Sequence, residues 1–137
     1  MIVLITGPSG AGKSTFVQAL MADDPRLAFS VSTTTRPIRE GEEDGRDYDF
    51  VNEEKFMQLV DEGAFVEWAR VHDNLYGTRR SRLDEMTAAG QIPALDLDVQ
   101  GGVNVIDKFT ENLVCIIVEK YWDACFIIGS LQNFSFV

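Results

Sequence analysis

Eight consecutive residues carry the densest chemistry in this sequence: Gly7-Pro8-Ser9-Gly10-Ala11-Gly12-Lys13-Ser14, a full match to G-x-x-x-x-G-K-[ST]. Glycines let a backbone wrap close to phosphate oxygens, where side chains would block the approach. The loop N–H groups and the N-terminus of a following helix then form an anion nest. A lysine placed like Lys13 reaches the β- and γ-phosphates of a nucleoside triphosphate, and a hydroxyl placed like Ser14 is a Mg²⁺ ligand. The apolar run Ile2-Val3-Leu4-Ile5 comes before the loop and a helical pattern follows it. The loop therefore reads as a triphosphate site rather than as a glycine turn that merely joins strand to helix.

Two further groups of residues each leave two readings open. Asp96 and Asp98 end the apolar run Ile92-Pro93-Ala94-Leu95, where a phosphate-loop protein places its Mg²⁺-side carboxylate. The same carboxylates also suit the cap of the helix that follows. Arg36 and Arg39 flank Pro37 in a segment rich in hydroxyls, with Tyr48 nearby. A guanidinium pair grips a small phosphate with bidentate hydrogen bonds, and a tyrosine hydroxyl adds one more. Alternatively the arginines balance the six acids between Glu40 and Asp49 on a solvated loop.

The elements that must position these residues follow from the pattern. A strand over 1–6 feeds the loop, and a helix over 13–22 turns Phe16, Val17, Leu20 and Met21 to one face. Phe29-Ser30-Val31 reads as a short strand. A helix spans 53–62 with Phe56, Leu59 and Val60 inward and Gly63 past its end. A strand over 64–71, a helix over 79–89 ending at Gly90, a strand over 92–98, a helix over 99–109 and a strand over 113–118 complete the pattern. Apolar strands alternating with helices predict an α/β fold with a parallel sheet flanked by helices. Residues 1–31 and 79–120 form its core, the loop-rich stretch 32–78 an inserted lobe, and 121–137 a separate tail.

Composition bounds the partners. The chain has 137 residues and a formal net charge of −10, which repels polyanions, so no nucleic acid polymer and no anionic membrane is expected as a partner. Two cysteines without a CxxC spacing and a single histidine, His72, argue against a zinc site or a disulfide framework. With no targeting segment and no run of 18 apolar residues, a cytoplasmic setting is expected.

The order and spacing of these motifs resemble the guanylate kinase family. The residues that carry the resemblance are Gly7 to Thr15, Ser30-Val31-Ser32-Thr33-Thr34-Thr35-Arg36-Pro37-Ile38-Arg39-Glu40-Gly41-Glu42 and Gly45-Arg46-Asp47-Tyr48-Asp49-Phe50. Phe65-Val66-Glu67-Trp68-Ala69, Tyr76-Gly77-Thr78 and Leu95-Asp96-Leu97-Asp98-Val99-Gln100-Gly101-Gly102 continue it, over about residues 2–119. The resemblance implies transfer of the ATP γ-phosphate to GMP or dGMP with Mg²⁺, giving ADP and GDP. Gly7, Pro8, Ser9, Gly10, Ala11, Gly12, Lys13, Ser14 and Thr15 would hold ATP, with Ser14 and Asp96 on the metal. Ser32, Arg36, Arg39, Tyr48, Tyr76 and Gly77 would surround GMP, the arginines and tyrosines on its phosphate. Glu67 would accept from the guanine N1–H and exocyclic amine, and Ser32 and Thr78 would offer hydroxyls to O6. Asp98 would lie near the base and the reaction centre, and Lys13, Arg36, Arg39 and Asp98 would be the catalytic set.

Past residue 120 the resemblance ends. The family continues with a Pro-Pro-Ser-type turn, an arginine-bearing lid of the type R-L-x-x-R-G and further elements. Here no arginine follows Arg82, and five of the 14 aromatics fall in the last 17 residues. Such a shift is what a reading-frame change or an altered terminus produces. The resemblance thus leaves a working kinase, a kinase impaired by loss of its lid, and a non-catalytic nucleotide- or protein-binding module. The intact Lys13-Ser14 and the complete GMP set favour a kinase over a module. Without lid arginines, nucleotide binding with weak or absent turnover is expected. The apolar tail is expected either to pack on the sheet edge the lid segments leave bare or to drive self-association.

Overall fold

Five residues with no charge among them, Ile2–Thr6 (β1), have no side to turn to water, and the strand is buried at every position. In this computed structural model, which describes residues 1–8, 10–109 and 112–118 and the backbone of 125–129, contacts divide the chain into two units. One comprises Met1–Phe29 and the chain from Gly90 onward; the other is Ser30–Ala89.

The first unit is built on a sheet. Besides β1 it contains β2 (Leu27–Phe29), β7 (Ile92–Leu97), β8 (Leu113–Val118) and β9 (Cys125–Gly129), in the order β2-β7-β1-β8-β9. The first four are parallel, with Leu4 opposite Leu95 on one side and Cys115 on the other. Continuous apolar strands suit this position because both faces are covered. Val3, Ile5, Val17, Ala94, Val114 and Ile116 form one core cluster, with Phe16, Leu20 and Met21 of α1 (Lys13–Asp23) packed against it. The helical face expected from the spacing is thus the one that packs. Helix α4 (Val99–Lys108) follows β7 and buries Gly101, Gly102 and Val105. Cys115 is a small core residue, and burial pushes its thiol up from the ordinary range.

Two sequence expectations shift here. The strand expected at Phe29-Ser30-Val31 lies two residues earlier. Arg26 N–H donates to Asp24 Oδ1 at 2.9 Å and Leu27 N–H to Asp24 O at 3.0 Å, closing a turn that starts the strand at Leu27. Pairing with Ile92, Pro93 and Ala94 then ends at Phe29. Part of the tail does cover the sheet edge: β9 runs antiparallel to β8, from Val114 opposite Gly129 to Val118 opposite Cys125. The remaining tail residues, 121–124 and 130–137, lie outside the described residues, as do 119 and 120.

The second unit holds a four-stranded sheet in the order β4-β3-β6-β5. Its strands are β3 (Thr33–Thr34), β4 (Asp49–Phe50), β5 (Phe65–Val71) and β6 (Asn74–Arg79). Only β3 and β4 run parallel; β6 is antiparallel to both β3 and β5. Helix α2 (Glu53–Asp61) is capped by Asn52, whose side chain accepts from Lys55 N–H at 2.8 Å. The helix buries Phe56 and Leu59 against Phe65 and Leu75, with the Phe56 and Phe65 rings stacked at 4.5 Å. The inserted lobe was expected over 32–78, whereas the compact unit runs to Ala89 and includes α3 (Arg80–Ala88). The reason is local: α3 continues directly from β6, and Arg80 N–H donates to Ala64 O at 2.9 Å.

Candidate active site

In the first unit the motif forms the expected strand–loop–helix. Gly12 takes a left-handed conformation (φ 90°, ψ 21°) at the cap of α1, and no side chain caps the first helical turn. A residue with a Cβ is strained in that conformation. Its backbone N–H groups thus lack a side-chain rival for an anion. Lys13 arches back over the loop: Nζ donates to Gly7 O at 3.0 Å and to Pro8 O at 3.4 Å. The same ammonium lies 3.9 Å from Asp96 Oδ1, at the end of the neighbouring strand β7. Burial raises the Asp96 carboxyl above its ordinary range, and the Lys13 charge opposes that rise. Gly10 and Ala11 lie in the loop, where Ala11 N–H donates to Pro8 O at 3.2 Å, and Ser14 and Thr15 are exposed on the first turn of α1. Ser9 lies outside the described residues.

Of the two readings of the strand-end carboxylates, the structure shows the helix cap at Asp98 and places Asp96 elsewhere. Asp96 faces Lys13. Asp98 is the cap of α4, its Oδ1 accepting from Gly101 N–H at 2.8 Å. A hydroxyl at Ser14 and a carboxylate at Asp96 are hard oxygen donors of the kind Mg²⁺ takes, and Mg²⁺ needs only one or two protein oxygens when phosphates supply the rest. Among the described residues no group of three or more His, Cys, Asp or Glu side chains gathers to form an all-protein metal cage.

The second unit carries the arginine cluster. Arg36 is 9% exposed, with its guanidinium 5.3 Å from the Tyr48 ring centroid and 5.6 Å from that of Phe50. Tyr48 in turn meets Tyr76 edge-on at 6.1 Å. Arg36 Nη1 and Nη2 donate to the two oxygens of Glu42 at 3.0 and 2.7 Å, and Nη1 also donates to Pro37 O at 2.8 Å. Charge balance within the acidic loop is therefore real for Arg36, and for Arg46, which pairs with Glu43 and Asp47. Arg39 differs: its backbone N–H donates to Glu42 Oε2 at 2.9 Å, while its exposed guanidinium makes no hydrogen bond or ion pair among the described residues.

A run of hydroxyls anchors this cluster. Thr34 Oγ1 donates to Leu75 O and accepts from Arg36 N–H, and Thr35 Oγ1 accepts from Leu75 N–H. Thr33 Oγ1 accepts from Arg79 Nε at 3.0 Å. Tyr76 and Gly77 sit inside β6, not in a turn; the turn lies at His72, which is exposed with φ 53°. Glu67 on β5 and Thr78 on β6 are 4% and 1% exposed, and Thr78 Oγ1 donates to Glu67 Oε1 at 2.8 Å. A hydroxyl has one proton to give, so in this structure Thr78 gives it to Glu67 and not to a ligand. Ser32 is half-buried beside β3, its carbonyl accepting from Asp49 N–H at 2.9 Å.

Sequence reasoning missed Glu42 as the Arg36 partner, the buried Thr33 and Thr34, and the Arg79–Thr33 contact. The threonine run was visible as three hydroxyls in a row, but nothing local marks their partners, which lie about forty residues on.

Comparison with known proteins decides the family. The guanylate kinase family model matches residues 1–120. The chain belongs to the guanylate kinase family. Among curated guanylate kinases, that of Thermotoga maritima is 47% identical over 112 residues, 82% of this chain and 54% of the relative. That of Symbiobacterium thermophilum is 40% identical over 124 residues, 90% of this chain and 59% of the relative. A crystal structure of guanylate kinase from Anaplasma phagocytophilum superposes with a TM-score of 0.70 at 32% identity, covering 85% of this chain and 58% of that one. The parallel sheet flanked by helices is thus the guanylate kinase fold, and the chain spans about half the length of the curated guanylate kinases it matches.

Proposed function

We infer that this chain binds GMP or dGMP on its second unit and ATP on its phosphate loop, and catalyses ATP + GMP → ADP + GDP. The observation that carries the reading is the buried Glu67–Thr78 pair. A carboxylate held in place under cover suits a base edge that presents two donors, the N1–H and the exocyclic amine of guanine. Adenine offers an acceptor at N1 and would leave Glu67 opposed by a lone pair. Thr78 orients Glu67, and Ser32 supplies the hydroxyl for O6. Tyr48, Tyr76, Arg36 and Arg39 take the monophosphate, and Gly77, between Tyr76 and Thr78 in β6, lets the strand pack closely on the Phe65 and Phe56 rings.

On the loop, Lys13 leaves the Gly7 and Pro8 carbonyls for the β- and γ-phosphates, which are stronger acceptors. Ser14 and Asp96 would hold Mg²⁺, which when bound neutralises charge on those phosphates. Transfer is in line: an oxygen of the GMP phosphate bonds to the γ-phosphorus, the bond from that phosphorus to the β,γ-bridging oxygen breaks, and the electron pair leaves with ADP. Lys13 stabilises the charge that shifts onto the transferred group and the leaving oxygen. Asp98 caps α4 and so fixes the start of the helix that follows β7. The setting this reading implies is the cytoplasm, where ATP and GMP would be its substrates.

The test is ADP release from ATP with GMP or AMP as acceptor, in wild-type and Lys13→Ala chains. Release is expected to require GMP and Lys13. Equal release with AMP would refute the assignment.

A further inference from the structure

A guanidinium has three edges, and in Arg36 two are already used. Glu42 takes the end-on fork, one oxygen on each Nη, and Pro37 O takes the remaining Nη1 proton beside the side chain's own Cδ. Five N–H bonds minus these three leaves the Nε–H and one Nη2–H, which point the same way from the third edge. That edge makes no hydrogen bond among the described residues. It has the spacing to donate to two oxygens of a phosphate. The rings of Tyr48 and Phe50, 5.3 and 5.6 Å away, limit how the plane can turn.

Glu42 therefore leaves one phosphate-matching edge of Arg36 open. We propose that Glu42 is a positioning residue: it locks the Arg36 guanidinium by its end so that the Nε–Nη2 edge is presented to the phosphate of the bound nucleotide. The same carboxylate also accepts from Arg39 N–H at 2.9 Å, so one side chain sets the turn that carries both arginines. This inference rests on the GMP reading above and adds a residue to it.

The sign of one substitution is decisive. Glu42 is an anion near an anion-binding edge, so as a mere field or a competitor it weakens phosphate binding, and Glu42→Gln would then tighten GMP. As a positioning residue it works the other way. Calorimetric titration of the full chain with GMP and with guanosine, which lacks the phosphate, separates the cases. For Glu42→Gln, GMP is expected to bind about tenfold or more weakly, the scale of a charge-assisted hydrogen bond, while guanosine affinity is unchanged. Arg36→Lys, which has no forked edge, should lose GMP affinity too, and adding Glu42→Gln to it should cost little more. Tighter or unchanged GMP binding in Glu42→Gln overturns the proposal. An equal loss for GMP and guanosine overturns it as well, because that marks a structural role only. If Glu42→Gln does not fold, Glu42→Asp carries the same test, since its shorter reach draws the fork back while keeping the charge. A wild-type chain that binds GMP no better than AMP defeats the GMP reading itself, whereas a wild-type chain that prefers GMP with an unaffected Glu42→Gln defeats only this inference.

Discussion

Thr78 Oγ1 donates a hydrogen bond to Glu67 Oε1 across adjacent strands, 2.8 Å from oxygen to oxygen, at a point where both side chains are buried. A buried carboxylate is costly unless its lone pairs are met, so this pairing serves both the fold and the base pocket. Glu67→Gln should weaken GMP binding about tenfold to a hundredfold, because hydrogen bonds to a charged partner are worth about 1.5–3 kcal/mol. Thr78→Val removes one donor to Glu67 and should lower stability by about 1–3 kcal/mol. Titration calorimetry and urea unfolding measure the two effects.

Lys13 and the arginine cluster belong to different units of the chain. Lys13→Ala should reduce phosphoryl transfer by about a thousandfold or more, the scale of losing a transition-state cation. GMP affinity should be unchanged. Parallel rate and binding measurements check the split, and an equal loss of GMP affinity in Lys13→Ala and Arg36→Ala would contradict it.

Asp96 gives a pH dependence with a definite sign. Burial raises its carboxyl in the folded chain, so the folded state holds the proton more tightly than the unfolded state. Its contribution to stability is present below the ordinary carboxylate range and is lost as pH rises through the raised value. Asp96→Asn should therefore raise the melting temperature at neutral pH. The gain should vanish in acid, where wild-type Asp96 is also neutral. Thermal melts of the two chains across pH test this. Activity should fall in the same variant, since the amide keeps an oxygen but loses the carboxylate charge that favours Mg²⁺.

Gly77 lies in β6 against the aromatic core of its unit. A Cβ there would sit 2.8 and 2.9 Å from two carbons of the Phe65 ring and 3.2 Å from Phe56. Those rings are stacked and buried, so they have little room to yield. Gly77→Ala should cost about 1–3 kcal/mol by overpacking, read from denaturant midpoints.

What could be read from the sequence and what could not divides along a physical line. The phosphate loop was legible because its chemistry is local: glycines, Lys13 and Ser14 within eight residues, between a buried strand and a helix. Strands β1 and β8 were legible because burial on both faces leaves continuous apolar runs. The face of α2 was legible from the spacing of Phe56 and Leu59. Strand β6 was hidden, since Asn74, Tyr76, Gly77 and Thr78 give no apolar alternation and a glycine inside a strand reads as a break. The choice of Glu42 for Arg36 was hidden as well. Six acids crowd that loop, and only the folded turn brings one carboxylate square onto the guanidinium. The split between Asp96 and Asp98 was open in the sequence because both sit at one strand end. The end of β7 at Leu97 separates them: Asp96 is still in the strand, while Asp98 caps α4.

The most direct test of the GMP assignment is a calorimetric titration of this 137-residue chain with GMP and, separately, with AMP. GMP is expected to bind at one site at least about a hundredfold more tightly than AMP, because the wrong base leaves the buried Glu67 carboxylate unmatched. Equal affinity for the two nucleotides would contradict a guanine pocket at Glu67.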